Sequence, residues 1–190
     1  MKKRFLILIP ILIFVDQIIK IIITKFFFYP HVNFPIIDSV FTLYPYRNIH
    51  LGWIPNMFDF MTPLYFAISL SIVSMVLLFI SYRYFTFLAS SWERYKKLPD
   101  LFLILTFAGG FCKIIDDIFW YGSLDYILLF DWFIFDLKDV YLLLGAGVFF
   151  VVFLIVFYRQ YYKIPKERRK EYKRKIDLLK WIKSGLPLEQ

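Results

Sequence analysis

Cysteine is all but missing from this chain of 190 residues. Its single copy, Cys112, excludes an internal disulfide and provides no spacing for zinc or thiol redox chemistry, so it reads as a small residue of a packed helix. Charge is missing altogether from two long stretches, 62–82 and 140–158, which rules them out as the surface of a soluble domain. Polar residues are scarce throughout: 60% of the chain is hydrophobic and its mean hydropathy is +0.62, where soluble domains run at ~45–50% apolar. No nucleic-acid-binding module accompanies the net charge of +8. No inverted repeat or pair of broken helices of the transporter kind is visible either.

What is present begins with a short basic start, Met1-Lys2-Lys3-Arg4, and an apolar run that continues past Asp16 and Lys20. No small-x-small cleavage site follows, which favours a first membrane helix over 5–26 rather than a cleavable signal peptide. Asp16 and Lys20 stand four apart on one helix face and are expected to pair. Pro30, Pro35, Pro45 and Pro55 forbid a continuous helix over 27–62. Within it, 39–44 has strand character and 56–61 suits a short interfacial helix, together a small cap on the membrane. Further spans are expected at 62–82, 100–119 and 140–158, with Gly109-Gly110, Gly145 and Gly147 as points of close helix contact.

Lys and Arg collect at the start, in 83–97 and in the tail 159–190, which holds eleven of them against four acids. By the positive-inside rule both termini are cytoplasmic, and four spans satisfy that parity. The expected fold is an all-α membrane protein: a four-helix bundle over 1–158 with an extracytoplasmic, β-containing cap, followed by a basic cytoplasmic tail. The tail, read as an amphipathic helix carrying Ile176, Leu179 and Ile182, suits an anionic lipid surface.

Chemistry points to residues 108–145, where six aspartates stand among Phe, Leu and Ile against only Lys113 and Lys138. A carboxylate in such company is costly unless paired, wet or protonated. Leu124-Asp125-Tyr126 and Lys138-Asp139-Val140 each bring one after an apolar approach, which makes Asp125 and Asp139 candidates for an acid–base pair. A helix–helix loop kept soluble by its acids accounts for the residue types equally well.

Four blocks in order resemble the lipoprotein signal peptidases (signal peptidase II). Asp16-Gln17-Ile18-Ile19-Lys20 follows the first helix's D-Q-x-x-K. Arg47-Asn48 with Trp53 follows the R/F-N-x-G-A-A-F block, although His50, Leu51 and Gly52 stand where G-A-A is usual. Ala108-Gly109 through Asp116 and on to Leu124-Asp125-Tyr126 follows G-G-A-L-G-N-L-I-D-R…G-x-V-V-D-F. Phe135-Asp136-Leu137-Lys138-Asp139, with Gly145 beyond, follows F-N-L-A-D. The resemblance implies an intramembrane aspartic endopeptidase of the bacterial cell membrane that removes signal peptides from lipid-modified prolipoproteins. Asp125 and Asp139 would be its catalytic pair, and Asp16, Lys20, Asn48, Trp53, Lys113, Asp116 and Asp136 its supporting or substrate-binding residues. No metal or organic cofactor is implied, and the partners are the prolipoprotein substrate and membrane lipid.

The departures gather around the pair. Lys113 replaces an asparagine, Asp117 an arginine, Asp136 an asparagine and Lys138 a small residue. Lys138 favours ionising both catalytic candidates, a third carboxylate at Asp136 opposes that, and Lys113 and Asp117 are spaced to neutralise each other. Two other classes fit the residues: an inactive relative that binds lipidated peptides or a membrane partner, and a small transporter subunit using the intramembrane charges. The topology is open to direct measurement. A cysteine placed near Asn48 is expected to react with an impermeant thiol reagent only from outside the cell, and labelling from the cytoplasm alone would refute the orientation.

Overall fold

The first helix, α1 (Leu8–Phe26), turns its charge inward and its oil outward. Asp16 and Lys20 are completely buried, while Ile11, Phe14, Ile21 and Ile22 lie exposed. In water that arrangement wastes apolar burial; against lipid it costs nothing on the outside and forces the charges to find partners within. The computed structural model describes residues 6–27, 33–51, 57–90 and 95–187. Expectations placed on Met1 to Arg4, Pro30, Gly52, Trp53, Pro55 and Asn56 lie outside the described residues.

Among the described residues three further long helices follow: α2 (Leu64–Ala89), α3 (Leu98–Ile115) and α4 (Leu137–Tyr158). A single wide turn, Asp116–Trp120, carries α3 onward. Among the described residues α2, α4 and α3 with its extension are long and apolar enough to cross a membrane. The span expected at 62–82 begins after Pro63 and runs on to Ala89, because neither Arg83 nor its neighbours offer a helix stop. Close contact between α3 and α4 depends on two glycines. A Cβ at Gly109 would sit 2.7 Å from Leu142 Cγ, and one at Gly145 2.6 Å from Thr106 Cγ2. A Cβ at Gly110 would collide with the Met75 sulfur of α2. Gly147 differs from expectation: nothing lies within 4 Å, so it does not mediate close packing.

Over the ends of α1, α3 and α4 lies a four-stranded antiparallel sheet in the order β1 (Phe34–Ile37), β2 (Phe41–Asn48), β3 (Ser123–Leu129), β4 (Phe133–Phe135). The strand expected at 39–44 is longer and contains Pro45. It is tolerated because the pairing of β2 with β3 breaks register between Leu43 and Tyr46, where no ladder N–H is required. The acidic segment 116–138, open between a loop and a catalytic site on its residue types, supplies half of the sheet. Its strands are joined by a turn in which Phe130 and Asp131 take positive φ of 54° and 53°. Of the short helix expected at 56–61, Asn56 lies outside the described residues, Met57 is helical, and 58–63 form a turn and an extended entry to α2. Gly122, at φ 143°, approaches the Asn48 carbonyl so closely that a Cβ would come within 2.5 Å of it. That contact brings Asn48 opposite Ser123 and Tyr46 opposite Asp125.

At the other end of the bundle the tail folds back instead of forming one amphipathic helix. Two short helices, α5 (Arg169–Lys175) and α6 (Leu178–Lys183), follow α4. Trp181, 2% exposed, joins Tyr82, Phe85, Leu88, Phe102 and Val152 in the main apolar cluster. Its indole N–H donates to the Pro187 carbonyl at 2.9 Å. Ile176, expected on the same face as Leu179 and Ile182, packs against the same cluster, while those two are exposed. Trp181→Ala is expected to destabilise the protein by about 3–5 kcal/mol, the usual cost of emptying a buried aromatic site. Thermal unfolding in detergent measures this, and an unchanged midpoint would show that the tail is not part of the core.

Candidate functional site

Three separated stretches meet at Lys20. Its ammonium lies 2.9 Å from Asp16 of its own helix, 2.6 Å from Asp116 at the end of α3 and 2.7 Å from Asp136 just before α4. All four side chains are completely buried. Gln17 extends the knot: its amide donates to Asp116 at 3.1 Å and its carbonyl accepts the Trp120 indole N–H at 3.0 Å.

Beside this knot lies a second one around Lys138. Its ammonium is 2.6 Å from Asp136, donates to Ser123 Oγ, and lies 3.5 Å from Asp125 and 3.9 Å from Asp139. Ser123 passes the contact on, donating to Asp125 at 2.7 Å. The two residues lie two apart on β3 and so share one face of the sheet. Asp136 and Asp139 form a reciprocal cap at the start of α4, each carboxylate accepting the other's backbone N–H at 3.2 Å. This D-x-x-D is a capping box with aspartate in place of the usual glutamate, and it orients the Asp139 side chain.

Asp125, Asp136 and Asp139 each offer a carboxylate oxygen, and these atoms lie within 4.8 Å of one another. Asp125 is nearly enclosed, at 10% side-chain exposure, and Asp139 is 40% exposed. Both line a cavity of about 710 Å³ whose far walls are Phe133, Phe135, Leu142 and Leu143. Burial pushes the Asp125 carboxyl above the usual carboxylate range, with Lys138 opposing and Asp136 reinforcing that shift. Asp136 goes the other way: burial would raise it, but Lys138 and Lys20 outweigh burial and hold it low. Five carboxyl groups, Asp16, Asp116, Asp125, Asp136 and Asp139, thus face two ammonium groups. Full ionisation would leave three negative charges uncompensated in a largely buried site, which favours a cluster that keeps at least one proton.

The other residues singled out from the sequence distribute as follows. Asn48 is buried, lines the cavity and accepts the His50 backbone N–H at 3.2 Å. Lys113 lines the same cavity and pairs with Asp117, as their spacing suggested. Trp53 lies outside the described residues. Asp131 is exposed on the β3–β4 turn, away from the cluster. Ser123 and Lys138 were not among the expected site residues. Period-two alternation from Asp125 pointed to Ser123, and a lysine in a helix's first turn, against the dipole, was the mark of Lys138.

The arrangement defines a class: a helical membrane protein with paired aspartates in a shielded pocket at one end of its bundle. Two solved structures share the fold, both bacterial membrane enzymes determined by the in meso method. One, at 2.3 Å resolution, has a TM-score of 0.66 and 18% identity, covering 87% of this chain and 96% of its own. The other, at 1.9 Å, has a TM-score of 0.59 and 16% identity, covering 81% and 94%. No curated protein matches the chain. The family model described as signal peptidase (SPase) II matches residues 8–156, and the chain belongs to that family. It is a family of membrane aspartic peptidases that process lipoproteins.

Replacing Lys20 by methionine would leave three buried carboxylates without their shared cation. The expected loss is about 3–5 kcal/mol, as for breaking other buried pairs from one side. Unfolding of Lys20→Met in detergent would measure it, and a stability equal to wild type would show the knot to be dispensable.

Proposed function

We propose that the protein is an active lipoprotein signal peptidase, in which Asp125 and Asp139 are the catalytic pair. The observation that carries this reading is the approach of their carboxylates to within 4.8 Å on the wall of one apolar cavity. Like charges so close cannot both ionise readily, so one carboxylate stays charged while its neighbour keeps a proton. The charged one removes a proton from water, whose oxygen attacks the scissile carbonyl carbon. The protonated one gives its proton to the carbonyl oxygen, leaving a tetrahedral diol. Collapse of the diol then breaks the C–N bond as a proton passes to the departing amine. The apolar walls suit the hydrophobic segment of a signal peptide, whose cut precedes the lipidated cysteine. Asp16, Lys20, Asp116 and Asp136 would hold the pair in place, with Asn48 and Lys113 on the substrate side; a substrate-binding role for Trp53 rests on the family resemblance alone.

In the same reading α1 is a fourth span, supported by its exposed apolar faces and buried charges. Both termini then lie in the cytoplasm and the sheet outside. Residues 1–158 form the peptidase unit, and the tail from 159 lies on the side away from the aspartates.

One observation favours a second reading. The Lys138 ammonium lies within 4 Å of both aspartates, which promotes the doubly ionised form that cannot donate a proton. In that case the cavity would bind lipidated peptides without cutting them.

Incubation of the purified protein with a diacylglyceryl-modified prolipoprotein separates the two, through release of the signal peptide. Asp125→Asn and Asp139→Asn are each expected to lower turnover by at least ~10²–10⁴-fold, since an amide can neither take nor return the proton. Asp131→Asn should cleave like wild type. Turnover surviving in either amide variant would overturn the pair, and wild-type protein that binds the lipopeptide without cutting it would establish the binding reading.

A further inference from the structure

The peptidase reading employs Asp125 and Asp139 but gives no task to the cation that stands against both. Lys138 is 3% exposed and sits in the first turn of α4. The positive end of the helix disfavours a cation there, and burial of an ammonium costs several kcal/mol before partners are counted. Its surroundings are built to hold it. The ammonium reaches Asp125 directly at 3.5 Å and again through Ser123, which accepts from Lys138 and donates to Asp125. It reaches Asp139 directly at 3.9 Å and again through Asp136, whose carboxylate accepts the Asp139 N–H.

Charged groups face this point from α1, the end of α3, β3 and α4. From α1 come Asp16 and Lys20, from the end of α3 Asp116, and to one side the Lys113–Asp117 pair. From β3 comes Asp125, with Tyr126 next to it, and from the start of α4 come Asp136 and Asp139. Among the described residues the carboxylates paired with Lys20 are Asp16, Asp116 and Asp136, so Lys138 is the ammonium in reach of Asp125 and Asp139.

We propose that Lys138 is a positioning residue for the aspartate pair, a built-in cation with Asp136 as counter-ion and Ser123 as relay, which sets the pH range over which the pair works. The inference rests on the peptidase reading. Where the family pattern has two neutral side chains, this chain has an acid and a base that cancel, so the net charge beside the pair is preserved while its distribution is not. A cation within 4 Å makes it easier for the pair to lose its first proton. Without that cation the acid limb of the activity profile moves to higher pH. Without Asp136 it moves to lower pH, and without both it returns towards its starting point.

The test is kcat and KM against pH, in detergent, on a diacylglyceryl-modified prolipoprotein. It compares wild type, Lys138→Met, Asp136→Asn and the double variant Asp136→Asn/Lys138→Met. Lys138→Met is expected to raise the acid limb by about one pH unit or more and to lose roughly tenfold in kcat below it. The double variant recovers most of that loss and of the pH shift. A purely structural role would reduce the folded fraction and leave the limb where it was, which would overturn the proposal. If Lys138→Met does not fold, the limb of the double variant against that of Asp136→Asn measures the same contribution, and no difference between them overturns it too. A wild-type protein that never cleaves would fell the peptidase reading and this inference with it. Cleavage with unmoved limbs would fell the role of Lys138 alone.

Discussion

One buried ammonium, that of Lys20, holds the working end of the molecule together. It is enclosed by carboxylates from the middle of α1, the end of α3 and the approach to α4. None of the three acids tolerates that depth alone, and the lysine does not either. Each is acceptable only when the others are in place, so the three helix segments must arrive in a single relative position. Apolar packing in a membrane gives little such direction, because lipid tails compete on equal terms with Leu and Phe. Directional bonds supply what packing lacks, and β3 and the Asp136–Asp139 cap take their positions from this point.

The departures from the family pattern acquire a physical sense when placed in space. Lys113 and Asp117 pair with each other, and Asp136 pairs with Lys138. The Asp136–Lys138 exchange returns the local sum of charge to that of two neutral side chains, while the Lys113–Asp117 exchange turns a neutral and a positive side chain into a pair that cancels internally. Such paired change fits a site under constraint more readily than one released from it, since unpaired charges at this depth would cost several kcal/mol each.

Much of this was legible from the chain itself. Uncharged runs exposed α2 and α4, and i,i+4 spacing exposed both the Asp16–Lys20 and Lys113–Asp117 pairs. Gly109 and Gly145 announced a close helix contact, though Gly147, of the same type, faces open space. The sheet was only half visible. β2 carried a strand's aromatic and β-branched character, but β3 was obscured by Asp125, whose partner Lys138 lies on α4, and β4 by its length of only three residues. Lys138 was read as a cation beside the pair from its neighbour Asp139, but its link through Ser123 to Asp125 was not, because those partners come from another element and no local pattern reports contacts across a fold. The tail was read by its charge, while its structural anchor, Trp181, was one of several aromatics in a basic segment.

The pairing of β2 with β3 has a consequence for biogenesis. The strands that meet at Asn48 and Ser123 are separated in the chain by two long helices, α2 and α3. During synthesis β2 emerges first and must wait, with its β3-facing edge unsatisfied, until both helices have entered the bilayer and β3 has followed them. Closing so long a loop makes this a late event. The pocket that holds Asp125 therefore does not exist in any shorter nascent chain. A protein built in this order completes the surroundings of Asp125 only after its own insertion is nearly complete.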